Sequence, residues 1–87
     1  MDTTTFELIV SIEDVRFVAT IGALVDHAAQ YAGSSSADAA SFSTAVTEAL
    51  AAAMAGRTSR APLPVVLRRQ AGPLEVVVDG QTLTLDV

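Results

Sequence analysis

A chain of 87 residues without cysteine has length for one small domain, spanning 1–87, that buries roughly 60 to 65 per cent of its unfolded surface, and it has no thiols for disulfides or thiolate metal sites. A formal net charge of −5, with five arginines and no lysine, argues against nucleic acid as a partner, because neutralising phosphates takes an excess of cations over the contact face. Apolar residues make up 51% of the sequence, yet no run of about 18 is free of charge, so no membrane partner or membrane-spanning segment is expected.

The opening MDTTT is acidic and polar where a leader would be basic, so no signal peptide is read and the cytoplasm is the expected compartment. From Thr5 to Ser11 the residues alternate and then run apolar through Leu8, Ile9 and Val10, which predicts a first strand. Ser11-Ile12-Glu13-Asp14 has a capping-box pattern and predicts a helix from about Asp14 to Ala32. On this helix Phe17, Ile21, Leu24, Ala28 and Tyr31 form one stripe, and Val15, Val18, Val25 and Ala29 form a second beside it. Together they span roughly 200 degrees, where a single neighbouring layer needs little more than 100. The helix is therefore expected to pack on a sheet and on a second element, which could be the next helix or another chain.

Gly33 and the three serines after it break the pattern, the glycine as a helix stop and a serine as the next cap. A second helix is predicted from about Ala37 to Ala55, with Phe42, Ala45, Val46, Ala49, Leu50 and Ala53 inward and Ser41, Glu48 and Ala52 on another face. Gly56 ends it, and GRTSRAPLP reads as a connecting loop. Three strands are predicted at Pro64 to Arg69, Leu74 to Asp79 and Gln81 to Val87, the last two joined by Asp79-Gly80, a dipeptide suited to a type I′ turn. There are no repeats and no linker. The order β-α-α-β-β-β predicts an α+β fold in which two helices pack on one face of a small, mostly antiparallel four-stranded sheet.

Three segments resemble the anti-sigma-factor serine-kinase branch of the histidine-kinase-like (GHKL) ATPase superfamily. They are Phe6-Glu7-Leu8, Val15-Arg16-Phe17-Val18 and the stretch Thr44 to Leu50. In that family a helix reading A-V-[ST]-E-A-[LV]-x-N carries a glutamate that orients a water and an asparagine that holds ATP-bound magnesium, residues four apart sharing one helix face. Here Ala45 to Leu50 follow the pattern, and Ala52 stands where the asparagine belongs; a methyl group cannot coordinate a metal. The resemblance would make Glu48 the general base and Asp79 the adenine contact. Gln81, however, takes the place of the glycine in the family's Asp-x-Gly motif, and the chain reaches Val87 without an ATP lid. The resemblance thus implies a degenerate, truncated member without nucleotide, cofactor or catalysis.

Each motif also has a plainer account. Glu48 can be an exposed helix carboxylate meeting Arg57 or Arg60, Asp79-Gly80 a hairpin turn, and lone His27 a surface residue on the polar side of its helix, no metal being expected. The cluster Ser34, Ser35, Ser36, Ser41, Ser43 and Thr44 lacks a base or an oxyanion motif and is expected to cap helices and turns.

The leading expectation is a non-enzymatic regulatory module that binds protein, self-associating first of all, through Phe17, Leu24 and Tyr31 on the over-wide helix face and through an uncovered sheet edge. The resemblance implies sigma factors or their antagonists as further partners. Two alternatives stay open. One is a residual magnesium-ATP-binding serine kinase using Glu48 and Asp79; the other is a small accessory protein from the operon of an effector or enzyme, with strand edges open for sheet extension.

Overall fold

The computed structural model describes residues 5–56, 62–70 and 72–86. The elements are β1 (Phe6–Ile12), a single 3-10 turn (Val15–Phe17), α1 (Val18–Tyr31), α2 (Ser36–Ala55), β2 (Leu63–Arg69), β3 (Leu74–Val78) and β4 (Gln81–Leu85). The strands form one antiparallel sheet in the order β1-β2-β3-β4, and the fold is α+β with the expected element order.

The start of the first helix differs from the sequence reading. Ser11 lies in β1 opposite Pro64 and is not a cap. The capping role falls to Asp14, whose carboxylate accepts the Arg16 backbone N–H at 2.9 Å, while Phe17 N donates to Asp14 O at 3.0 Å. That i→i+3 bond winds a tight turn first, so α1 begins at Val18, four residues after the predicted start. Its end follows the sequence closely. Gly33 takes φ +113°, and the bonds Ser34 N to Ala29 O and Gly33 N to Gln30 O, both 3.0 Å, make a Schellman motif. Ser35 then caps α2, its hydroxyl accepting Asp38 N–H at 3.1 Å. At the far end of α2, Gly56 is the cap with φ −83°, and its backbone N–H donates to Ala52 O.

The core is one apolar layer between helices and sheet. Ile21, Val25 and Ala29 of α1 and Ala39, Phe42, Val46 and Leu50 of α2 close over Ile12, Leu63, Val65, Leu67, Leu74, Val76 and Val78. Ala45, placed inward by the sequence pattern, is exposed, while Ala49 and Ala53 are half-buried. An alanine adds little to an apolar stripe whichever way it faces, and the large residues Phe42, Val46 and Leu50 set the orientation. The helices meet closely at Gly22, where a β-carbon would stand 2.5 Å from Thr47 Cγ2; here Ser43 Oγ donates to Gly22 O at 2.7 Å. Ser43 is thus an interhelical clasp.

Asp79 and Gly80 take φ +48° and +79° and join β3 to β4 in the type I′ geometry expected of them. Such a two-residue turn closes on a hydrogen-bonded pair, here Val78 with Gln81. Alternation across the sheet then directs the backbone groups of Phe6, Leu8, Val10 and Ile12 toward β2 and those of Glu7, Ile9 and Ser11 away from it. The same alternation explains Pro64 in an inner strand. Its missing N–H points past the end of β3, whose pairing with β2 begins at Val65, so no ladder bond is lost.

Candidate protein-binding margin along β1 and α1

β1 is an edge strand, and α1 lies along it without covering it. Leu8 shares the helix-facing row Leu8, Leu67, Val76, Leu83, yet it is 43% exposed where Leu67 and Val76 are fully buried. On the other side of the same strand Ile9 is 65% exposed. Among the described residues the large apolar side chains left in solvent are Leu8, Ile9, Val15, Phe17 and Tyr31. All belong to β1, to the turn that follows it, or to the last residue of α1. Soluble proteins scatter such residues singly, and a gathered patch marks a contact surface.

Two shallow grooves run between strand and helix. At one end Phe6, Leu8, His27, Ala28 and Tyr31 line an apolar recess, with the rings of Phe6 and Tyr31 tilted 54° and 6.3 Å apart. At the other end Val10, Ser11, Ile12, Phe17, Thr20 and Ile21 line a second, with the Glu13 carboxylate at its margin. The helix stripe drawn from the sequence is what faces both. Ile21 is buried beneath it, Leu24 and Ala28 are half-buried, and Phe17 and Tyr31 stand open at its two ends. The structure thus places Phe17, Leu24 and Tyr31 on one margin. Sequence reading missed Leu8 and Ile9, although a contiguous Leu8-Ile9-Val10 run, apolar on both faces of a strand, was the available signal.

The charges nearby are solvated. Asp14 and Arg16 pair at 3.0 Å at the foot of α1. The Arg16 backbone N–H, and then its guanidinium, hold the Asp14 carboxyl below its usual range, and the same contact raises the Arg16 guanidinium. On the outer sheet face Glu7 lies directly opposite Arg68, which bonds Glu75 at 3.4 Å. His27 is exposed at the rim of the Phe6 to Tyr31 recess, a more apolar setting than the polar helix side expected for it.

The residues that the kinase resemblance singles out lie elsewhere. Glu48 is exposed on α2, one turn before exposed Ala52, and Asp79 is the first turn residue of the β3–β4 hairpin, also exposed. Arg57 and Arg60, the expected partners of Glu48, lie outside the described residues. Of the hydroxyl cluster, Ser35 caps α2, Ser43 bonds Gly22 O, and Thr44 Oγ1 donates back to Ala40 O at 3.0 Å. Among the described residues no group of three acidic, histidine or cysteine side chains could hold a metal ion, and no helix is long and apolar enough to cross a membrane. Comparison with protein-family models, with curated proteins and with solved structures finds no match to this chain.

Proposed function

We propose that this chain is a non-enzymatic regulatory module that acts by binding protein, itself first of all, through the margin formed by β1 and α1. One observation carries the reading: the exposed large apolar side chains of the described residues gather along a single unpaired strand edge and the helix beside it. An edge strand of this kind is ordinarily covered or guarded by charge, because its free backbone groups template further pairing. Sigma factors or their antagonists are the further partners that the kinase-like segments suggest, and a cytoplasmic setting goes with them.

The alternative of a residual nucleotide site, with Glu48 as base and Asp79 as adenine contact, is disfavoured by two features. Ala52 has no side-chain oxygen for magnesium, and Asp79 is engaged in a hairpin turn whose positive φ its neighbour Gly80 shares. A titration with magnesium-ATP separates the two readings. A filled site at a hundredfold excess over its dissociation constant raises stability by about 2.7 kcal/mol. The expected outcome is no change in melting temperature at millimolar nucleotide. A rise abolished by chelating magnesium, and by Asp79→Asn, would replace the binding module with a kinase.

A further inference from the structure

We infer that the partner seated on this margin is a second copy of the chain, joined β1 to β1 in antiparallel pairing about a two-fold axis through Ile9, a geometry that rests on the association reading above. The backbone groups of Glu7, Ile9 and Ser11 point out of the sheet, and a two-fold at Ile9 sets Ile9 against its own copy and Glu7 against Ser11 of the other chain. About six ladder bonds form, and no carboxylate faces its like. The axis stands perpendicular to the sheet, so both helical layers lie on the same side. Leu8 then faces Val10 of the other copy, and Phe6 faces Ile12.

The helices obey the same symmetry. Leu24 lies midway between Phe17 and Tyr31 on one stripe, as Ile9 lies midway between Glu7 and Ser11. Phe17 borders the recess at the Ile12 end of β1 and Tyr31 the recess at the Phe6 end, so Leu24 stands over the middle of the strand. Rotation about the axis brings Tyr31 of each copy to the Phe17 recess of the other and sets the two Leu24 side chains together. A two-fold at Ile9 therefore serves strand and helix together, because the two recesses lie on either side of the same centre. The assembly also closes. Once the β1 edges have paired, the edges left are those of β4, with Thr82 and Thr84 on the outer face and Asp86 beyond.

The contact strip is small, roughly 24 Å along β1 by 20 Å across, so it buries on the order of 1,000 Å² in both copies together, the low end of specific interfaces. A reversible dimer with a micromolar dissociation constant is the expected result, seen by sedimentation as a shift from 9.0 kDa toward twice that mass as concentration rises.

Register is tested by charge and by cross-linking. Ser11→Glu places two carboxylate pairs against Glu7 across the axis and weakens the dimer about tenfold, whereas Ser11→Arg leaves it intact or tightens it. Because the chain has no cysteine, Ile9→Cys reports directly. Opposed Cα atoms of a hydrogen-bonded antiparallel pair lie about 5.5 Å apart, within disulfide reach, so mild oxidation yields a covalent dimer that Thr82→Cys on the other edge does not give. Circular dichroism confirms that each variant folds. A wild-type chain that stays monomeric to millimolar concentration, equal effects of Ser11→Glu and Ser11→Arg, or absence of the Ile9→Cys cross-link overturns the two-fold pairing. A magnesium-dependent response to ATP instead overturns the reading beneath it, so the two failures are told apart.

Discussion

The sheet has two edges, and they are built to opposite rules. Ile9, Val66, Val77 and Thr82 form one row across its outer face, beginning in an exposed isoleucine on β1 and ending in a hydroxyl on β4. β1 is seven residues long with apolar side chains on both faces, and β4 is five residues with threonines outward and aspartate after it. β4 is also fastened locally, by a two-residue turn to its neighbour, whereas β1 is held by pairing with a strand far along the chain and by α1 above it. A strand with polar residues outward and a tight turn behind it is finished as an edge. A strand that leaves Leu8 and Ile9 in water is unfinished, and the proposed contact surface rests on that difference.

Substitutions can sharpen that contrast or dissolve it. The largest effect is expected from Leu74→Ala, which empties a fully buried position and costs about 2 to 5 kcal/mol in urea unfolding. Leu8→Ala, on the same sheet face but half in solvent, is expected to cost the monomer less than half as much. Equal losses would mean that α1 covers the β1 edge after all. Gly80→Ala tests the local fastening of β4. At φ +79° an alanine is strained by about 1 to 2 kcal/mol, and stability is expected to fall while the monomer–dimer equilibrium stays where it was. A parallel loss of association would put β4 into the contact.

The smallest effect belongs to the foot of α1, beside the open margin. The Asp14 carboxyl titrates lower folded than its unfolded value of about 3.9, so its contact with the Arg16 N–H and guanidinium contributes stability above that pH, lost as pH falls through the lower folded value. In a series of melts from pH 6 to pH 2, Asp14→Asn is expected to be slightly less stable than the parent at pH 6 and to converge with it at the acid end. Curves that stay parallel throughout would show that the carboxylate charge contributes nothing to this cap.

Much of the fold was legible because the deciding residues act locally. Asp79-Gly80 specifies its turn through backbone preference alone, Gly33 ends α1 in the conformation only glycine takes easily, and the alternation of Val65 and Leu67 assigns a strand face without reference to anything distant, although Leu63, read as loop, is the first residue of β2. The over-wide apolar arc of α1 was legible too, and Phe17, Leu24 and Tyr31 do share a margin. Other features depend on partners that a local pattern cannot show. Period-two alternation does not show how far a neighbouring helix covers a strand, so the run Leu8-Ile9-Val10 marked β1 without showing that Leu8 and Ile9 stay in solvent. The clasp between Ser43 and Gly22 joins two helices at a distance of 21 residues, and Ser43 looked like one more hydroxyl in a serine-rich stretch. Alanine at position 45 carries too little hydrophobic weight to show its side. The kinase-like segments, for their part, remain a likeness of short strings.

The pairing of β1 with β2 has a consequence for how the molecule is made. Ile12 pairs with Leu63 and Phe6 with Arg69, so β1 leaves a ribosome and waits for a partner at least 51 residues behind it (63 − 12). At 5 to 20 residues per second that delay is roughly 3 to 10 s, during which the two helices have time to form as a hairpin while the β1 segment stays unpaired. Two nascent chains on neighbouring ribosomes would carry that segment together, and a strand able to pair with its own copy would meet it before meeting the rest of its own sheet.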